Sequence, residues 1–314
     1  MPLVIGTDEA GYAPNLGPLV VAATAWRVPH WDFDFYSELA EHVHVEIDAD
    51  DSRLVIADSK VAYRSGGSID RLEAAVLSLL STYAKLPLRI TELLQHICGS
   101  GNFTIPVWYA WPDARIPLAA KPESLRHHSR KLNDGFGSKS VRLERIAARL
   151  VFPKEFNELL AVHGNKASVL SAITLQLVGD LVDRHEDDCL IVCDRHGGRA
   201  RYAPLLQQFL TDEWPRVVEE SSTCSRYSWS DEDRAFEARF VVNGESFLPT
   251  AAASMTAKYL REVMMQGWNS YWLRHDADLQ PTAGYPGDAK RFLRDVAPII
   301  QRLGIGTDSI WRSK

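Results

Sequence analysis

The chain has 314 residues, 46% of them hydrophobic and 24% charged, the balance of a globular protein with one large domain or two ordinary ones. No apolar run approaches the roughly 20 residues that a membrane helix needs, no basic segment leading into a long apolar stretch opens the chain, and 4 cysteines are too few for a disulfide framework. A cytoplasmic protein without a membrane partner is therefore expected. The net charge of −6 argues against coating nucleic acid with the whole surface, but not against a local basic track.

The first apolar run, Leu3 to Ile5, leads to Asp8 and Glu9. Gly11-Tyr12-Ala13-Pro14 then breaks the chain before a second run, Leu19 to Trp26. This reads as strand, tight loop, strand, with two carboxylates at the rim where a metal-bound phosphate can approach. A solvated acidic turn fits the same pair. Trp31 to Asp51 has no period and reads as loop with at most one helix. Leu54 to Ala57 leads into Asp58-Ser59-Lys60, a strand or loop end carrying a cation; an ordinary surface lysine also suits Lys60. Leu72, Val76, Leu79, Leu80 and Tyr83 recur at helical spacing, which predicts a helix over 69–83 with Ser68 as its N-cap.

Residues 86–140 differ in character. They carry Trp108, Tyr109 and Trp111 among several prolines, then Lys121, Arg126, Arg130, Lys131 and Lys139. In an acidic protein this local excess of cations suits either a nucleic-acid backbone with aromatics for stacking or a solvated loop. Val141 to Phe152 reads as a strand. Ser168 to Val182 is apolar nearly all round and is expected to be a buried helix. Cys189 to Cys193 is the continuous apolar run of a central parallel strand, ending on Asp194. Cys189, Cys193 and His196 lack the spacing and the second pair of a zinc site. A third run, Phe240 to Val242, leads to Glu245. A long helix over 250–273 starts with small residues and carries Ser254 and Lys258. Gly284-Tyr285-Pro286 precedes a final helix over 289–303, and Arg312 lies near the end.

Three apolar runs thus end in carboxylates. If those strands are neighbours in one sheet, Asp8, Glu9, Asp194 and Glu245 converge. Two carboxylates about 4 Å apart repel by about 4 kcal/mol at an effective dielectric of about 20, so four together call for divalent cations. Oxygen-only ligands favour Mg²⁺ or Mn²⁺. Two such ions about 4 Å apart suit in-line attack of water on a phosphodiester.

Thr7 to Gly11, Asp58-Ser59-Lys60, Val192-Cys193-Asp194, Val241 to Ser246, Ala252 to Lys258 and Gly284-Tyr285-Pro286 resemble, in this order, the motifs of ribonuclease HII. The resemblance covers residues 1–85 and 141–314 and leaves 86–140 as an insertion. It implies an α/β ribonuclease H-like fold: a five-stranded mixed sheet, its first three strands antiparallel, flanked by helices, with a helical C-terminal region. It implies that Asp8, Glu9, Asp194 and Glu245 are both the catalytic residues and the ligands of two Mg²⁺ or Mn²⁺ ions. It implies a monomer whose partner is nucleic acid, an RNA–DNA hybrid or related duplex, cut in its RNA strand. Substrate contacts would come from Gly11, Tyr12, Ala13, Lys60, Ser254, Lys258, Tyr285 and Arg312, with Tyr285 stacked on a sugar.

The chain departs from the family pattern at four places. Glu245 stands for an aspartate, Gly11-Tyr12-Ala13 for Gly-Arg-Gly, Asn243 for a lysine, and Trp311-Arg312-Ser313 for a longer C-terminal motif. Cleavage of extended hybrids with weakened preference for a lone ribonucleotide in DNA is the resulting expectation. The alternative is a nucleic-acid-binding protein of the same fold with weakened or lost catalysis.

Overall fold

A computed structural model describes residues 1–48, 51–99, 104–110, 114–231 and 233–313. Asp50, Trp111 and Pro112 of the segments discussed above lie outside these residues. In chain order the elements are β1 (Leu3–Ala10), β2 (Leu19–Arg27), α1 (Phe35–Glu38), β3 (Val43–His44), β4 (Leu54–Val55), α2 (Ser59–Ala62), α3 (Asp70–Leu80), α4 (Ile90–Cys98) and α5 (Pro122–Ser138). There follow β5 (Arg142–Val151), α6 (Pro153–His163), α7 (Lys166–Val182), β6 (Cys189–Asp194), α8 (Ala203–Phe209), β7 (Arg216–Glu220), β8 (Cys224–Asp231), β9 (Arg234–Val241), α9 (Leu248–Leu273) and α10 (Pro286–Leu303).

The main sheet runs β5-β2-β1-β6-β9-β8-β7. β2 is antiparallel to both of its neighbours, β5 and β1, and β6 and β9 join parallel to β1. These five strands carry the expected order of directions, but the sheet has seven. The hairpin of β7 and β8 adds two antiparallel strands to the free edge of β9. Its signal in the sequence is the alternation of buried Ser225, Tyr227 and Trp229 with half-exposed Arg226 and Ser228, the period of a strand covered on one face only.

Alternation also explains the two faces of the central strands. Leu3, Ile5, Cys189, Ile191 and Cys193 pack with α7 and α8 residues such as Leu175, Val178 and Leu206. Val4, Leu190 and Val192 face the other core, which contains α9. β6 is buried on both faces, hence its unbroken apolar sequence. α9 is held to the sheet by polar bonds as well: Thr24 Oγ1 donates to Pro249 O at 2.7 Å and Thr250 Oγ1 to Val192 O at 3.3 Å. These fix the start of α9 behind the strand ends.

Two local expectations need correction. Of the two readings of Asp58-Ser59-Lys60, the strand end fails: the segment closes the loop after β4 and starts α2, where the Asp58 side chain accepts the Lys60 N–H at 2.9 Å. Ser68 is not the N-cap of α3; Ile69 is, and the Ser68 hydroxyl instead accepts the Asp70 N–H at 3.2 Å.

The described part of residues 86–140 contains α4 and α5, with loop and one short helical turn at Val107–Tyr109 between them. Ile90, Leu93, Leu94 and Ile97 of α4, and Leu125, Leu132 and Phe136 of α5, belong to the same core as Trp26 and α9. The Phe136 ring stands 5.4 Å from that of Trp26. The segment is pinned from inside by Glu73, which is fully buried on α3. Its carboxylate accepts the N–H groups of Leu118, Ala119 and Ala120 at 2.6–2.8 Å and the Tyr259 hydroxyl at 2.8 Å. Several of the cations have internal partners: Lys139 pairs with Glu38 at 2.8 Å, Arg126 with Glu123 at 3.5 Å, and Lys131 donates to Ser52.

Candidate active site at the strand ends

Parallel pairing of β1 with β6 sets Thr7 opposite Cys193. Asp8 and Asp194, one residue further on, therefore lie at the same end of this pair, although β1 does not stop there as expected: Asp8 and Glu9 stay in the strand, opposite Ala22 and Val21 of β2. Pairing of β6 with β9 sets Asp194 opposite Val241, and the turn at Gly244–Ser246 carries Glu245 back over this edge. Gly244 N–H donates to Asp194 Oδ1 at 3.0 Å, tying the turn to the strand. Glu9 N–H donates to Asp8 Oδ1 at 2.7 Å.

The carboxyls feel one another. Burial, then the charges of Glu9 and Asp194, hold the Asp8 carboxyl well above its usual range, against a hydrogen bond from Ser254. Burial, then Asp194 and Glu245, push Glu9 up to about 7, with Lys60 opposing. Asp194 is raised by burial, tempered by the Gly244 N–H. Lys60 answers this field. Burial works against its charge, but Asp58, Glu245 and Asp8 hold its ammonium above the usual lysine range. Its Nζ stands 3.6 Å from both Asp58 Oδ2 and Glu245 Oε1. Lys60, Asp194 and Glu245 share a cleft of about 410 Å³ with Arg195, Gly197, Gly198, Ser222, Val242 and Asn243.

The donor set fits a hard divalent cation: carboxylates from three strand ends, in enforced repulsion, with one exposed lysine as counter-charge. As placed, no three His, Cys, Asp or Glu side chains among the described residues are arranged to hold one ion.

The other expected residues divide. Gly11 has φ +86°, and a Cβ there would meet Arg261 Nε and Pro18 O, each at 2.6 Å, so the loop requires glycine at this position. Ala13 is exposed and Tyr12 half-buried. Tyr285 is 47% exposed, and its loop is fastened to the first loop by Asn15 N–H donating to Gly284 O at 2.9 Å. Ser254 is buried, its hydroxyl donating to Ser59 Oγ at 3.1 Å, and lies close enough to Asp8 to ease the charge of that carboxylate. Lys258 pairs with Glu262 at 2.7 Å and lies 4.8 Å over the Tyr63 ring, so its charge is already engaged.

Arg312, expected at the substrate, is fully buried. Its guanidinium donates to the carbonyls of Gly11 and Pro14, its N–H donates to Asn15 O at 2.8 Å, and its cation stands 5.0 Å from the Phe156 ring. Burial, with Arg261 nearby, lowers its pKa to about 9, which leaves it charged at neutral pH. It supports the Gly11–Asn15 loop from behind.

Sequence reasoning passed over Asp58, Arg261 and the Arg195–Arg199 loop. The last had a legible signal, two glycines flanked by cations directly after Asp194.

No family model and no curated protein sequence matches the chain. Solved structures do. The ribonuclease H2 from Pyrococcus horikoshii OT3 aligns over 98% of this chain and 92% of its own, with TM-score 0.50 and 16% identity. The PCNA:RNase HII complex from Archaeoglobus fulgidus gives TM-score 0.41 and 15% identity over 99% of this chain and 94% of that one. A Bst-RNase HIII in complex with Mn²⁺ gives TM-score 0.41 and 15% identity over 99% and 66%. With the strand order and directions described above, the first of these likenesses identifies the fold of this chain as that of ribonuclease H2.

Proposed function

We propose that the protein is a divalent-metal-dependent endonuclease that hydrolyses phosphodiesters of the RNA strand in RNA–DNA hybrids. The observation that carries this reading is the convergence of Asp8, Glu9, Asp194 and Glu245 from three strand ends into one electrostatically coupled cluster. Such a cluster is costly to hold without cations, and nothing in the packing of the core requires it. Asp8, Glu9, Asp194 and Glu245 would hold the ions, Mg²⁺ or Mn²⁺. When bound, the ions supply an activated water and offset charge on the phosphate.

The chain's own residues do the rest. Ser254 lies beside Asp8 and eases its charge, and the Gly244 N–H orients Asp194. Lys60, 82% exposed at its side chain, is free to turn from Glu245 to a substrate phosphate. The exposed ring of Tyr285 offers a face to a sugar. Glu245, one methylene longer than aspartate, and the altered loop at Tyr12 and Ala13 support weakened preference for a lone ribonucleotide. In this reading 86–140 elaborates a catalytic domain made of 1–85 and 141–314 and shares its core.

The test is a cleavage panel in Mg²⁺ and in Mn²⁺ with an RNA–DNA hybrid, a duplex with one ribonucleotide, plain DNA and plain RNA. Metal-dependent cutting of the hybrid, lost in Asp194→Asn with the fold intact, is expected. Equal activity in Asp194→Asn would refute the site.

A further inference from the structure

Gly197 and Gly198 of the loop between β6 and α8 line the cleft. The two arginines that bracket the loop are used differently. Arg195 is committed to the fold: its Nη1 donates to Ser222 O at 2.6 Å, and its Nη2 to Ser221 O at 3.0 Å and Ser225 Oγ at 3.2 Å. Arg199 makes one side-chain bond, from Nη2 to Ser168 Oγ at 2.9 Å on the first turn of α7. Its Nε, like that of Arg195, is buried without a hydrogen-bond partner, and no carboxylate among the described residues pairs with Arg199.

Tyr12 reaches this loop from the other side. Its hydroxyl lies 3.1 Å from where a Cβ on Gly197 would stand, and Gly197 has φ +57°, so glycine leaves the room that the phenol occupies. Burial, then the charge of Glu9, holds the Tyr12 proton on, while Arg199 acts the other way. Tyr12 is thus within electrostatic reach of both Glu9 and Arg199. A guanidinium with spare donors is hydrated weakly and forks onto phosphate oxygens. Arg199 directly follows Gly197 and Gly198, which line the cleft with Asp194 and Glu245, and a cation flanking that cleft offsets repulsion that a phosphodiester strand meets there. A phenol seated next to it presents a ring to a sugar and a hydroxyl to a phosphate oxygen.

We propose that Arg199 and Tyr12 form a second substrate subsite, holding the sugar-phosphate unit of the cleaved strand next to the one that lies over Asp8, Glu9, Asp194 and Glu245. The subsite rests on the nuclease reading given above. Its cation comes from the loop after β6 and its ring from the loop after β1, so neither motif reveals it alone.

The test measures binding of a fluorescein-labelled RNA–DNA hybrid by anisotropy across a salt series, with Asp194→Asn as the parent so that cleavage does not interfere. Adding Arg199→Ala is expected to weaken binding about tenfold and to reduce the slope of log K against log salt by about 1. Arg199→Lys, which keeps a cation and a donor towards Ser168, is expected to restore the slope but not the full affinity; it carries the test if the alanine variant unfolds. Tyr12→Phe in the active protein is expected to lower kcat/KM with the salt slope unchanged. A parent that binds the hybrid while Arg199→Ala and Arg199→Lys match it in affinity and slope overturns the subsite alone. A parent that binds no hybrid, with a wild type that cuts none, overturns the nuclease reading and the subsite with it.

Discussion

Glu9→Gln gives the most direct check on the carboxylate cluster, because it removes one charge and little volume. Folding raises the Glu9 carboxyl from 4.5 to about 7. The folded protein therefore holds more protons than the unfolded chain between those pH values. The contribution of this group to stability is present at pH 4.5 and below, and is lost as pH rises through 7. A shift of this size corresponds to about 3 kcal/mol. Asp8 and Asp194, also raised, add contributions of the same sign. Without metal, Glu9→Gln is expected to match the wild type at pH 4.5 and to exceed it by about 3 kcal/mol at pH 8. In urea unfolding followed by circular dichroism this appears as a gap between the two proteins that opens with pH. Mg²⁺ or Mn²⁺ should close much of the gap at pH 8 by stabilising the wild type, since a ligand of the folded state alone adds stability by mass action, and should do less at pH 4.5, where Glu9 is protonated. A gap that does not change with pH, or a metal increment equal at both pH values, would refute the reasoning.

Two further outcomes follow from buried groups. Glu73→Gln keeps one acceptor oxygen but turns an amide NH₂ towards backbone donors of the 118–120 segment, and is expected to cost about 2–4 kcal/mol in urea unfolding; a loss below about 0.5 kcal/mol would mean that this carboxylate does not tie residues 86–140 to the core. Arg312→Met removes the donors to the Gly11 and Pro14 carbonyls and is expected to lower kcat on the hybrid severalfold and stability by about 1–3 kcal/mol, while leaving the salt slope of hybrid binding unchanged; a reduced slope would show instead that Arg312 contacts phosphate.

The strands of the site were legible in the sequence because each begins as an apolar run followed by carboxylates, although β1 continues past Asp8 and Glu9 to Ala10. β1, β2 and β6, and the buried helix α7, lie where their patterns placed them, since burial on one or both faces writes directly into residue type. The β7–β8 hairpin and helices α4 and α5 were not read. Their apolar residues are sparse and set among prolines and charges, and only the completed core supplies the partners that make Leu93, Leu125 and Phe136 interior. Glu73 shows the limit most clearly. In sequence it is one more acid on an amphipathic helix; its burial depends on three N–H groups that arrive from 45 to 47 residues away. Arg312 is a second case, a terminal cation whose role is set by carbonyls 298 and 301 residues earlier. Local pattern determined which segments become strands and which carboxylates end them. The pairing register that brings Asp194 beside Asp8, and the fate of every buried charge, were decided by the tertiary structure, because the partner that makes a charge tolerable is distant in the chain.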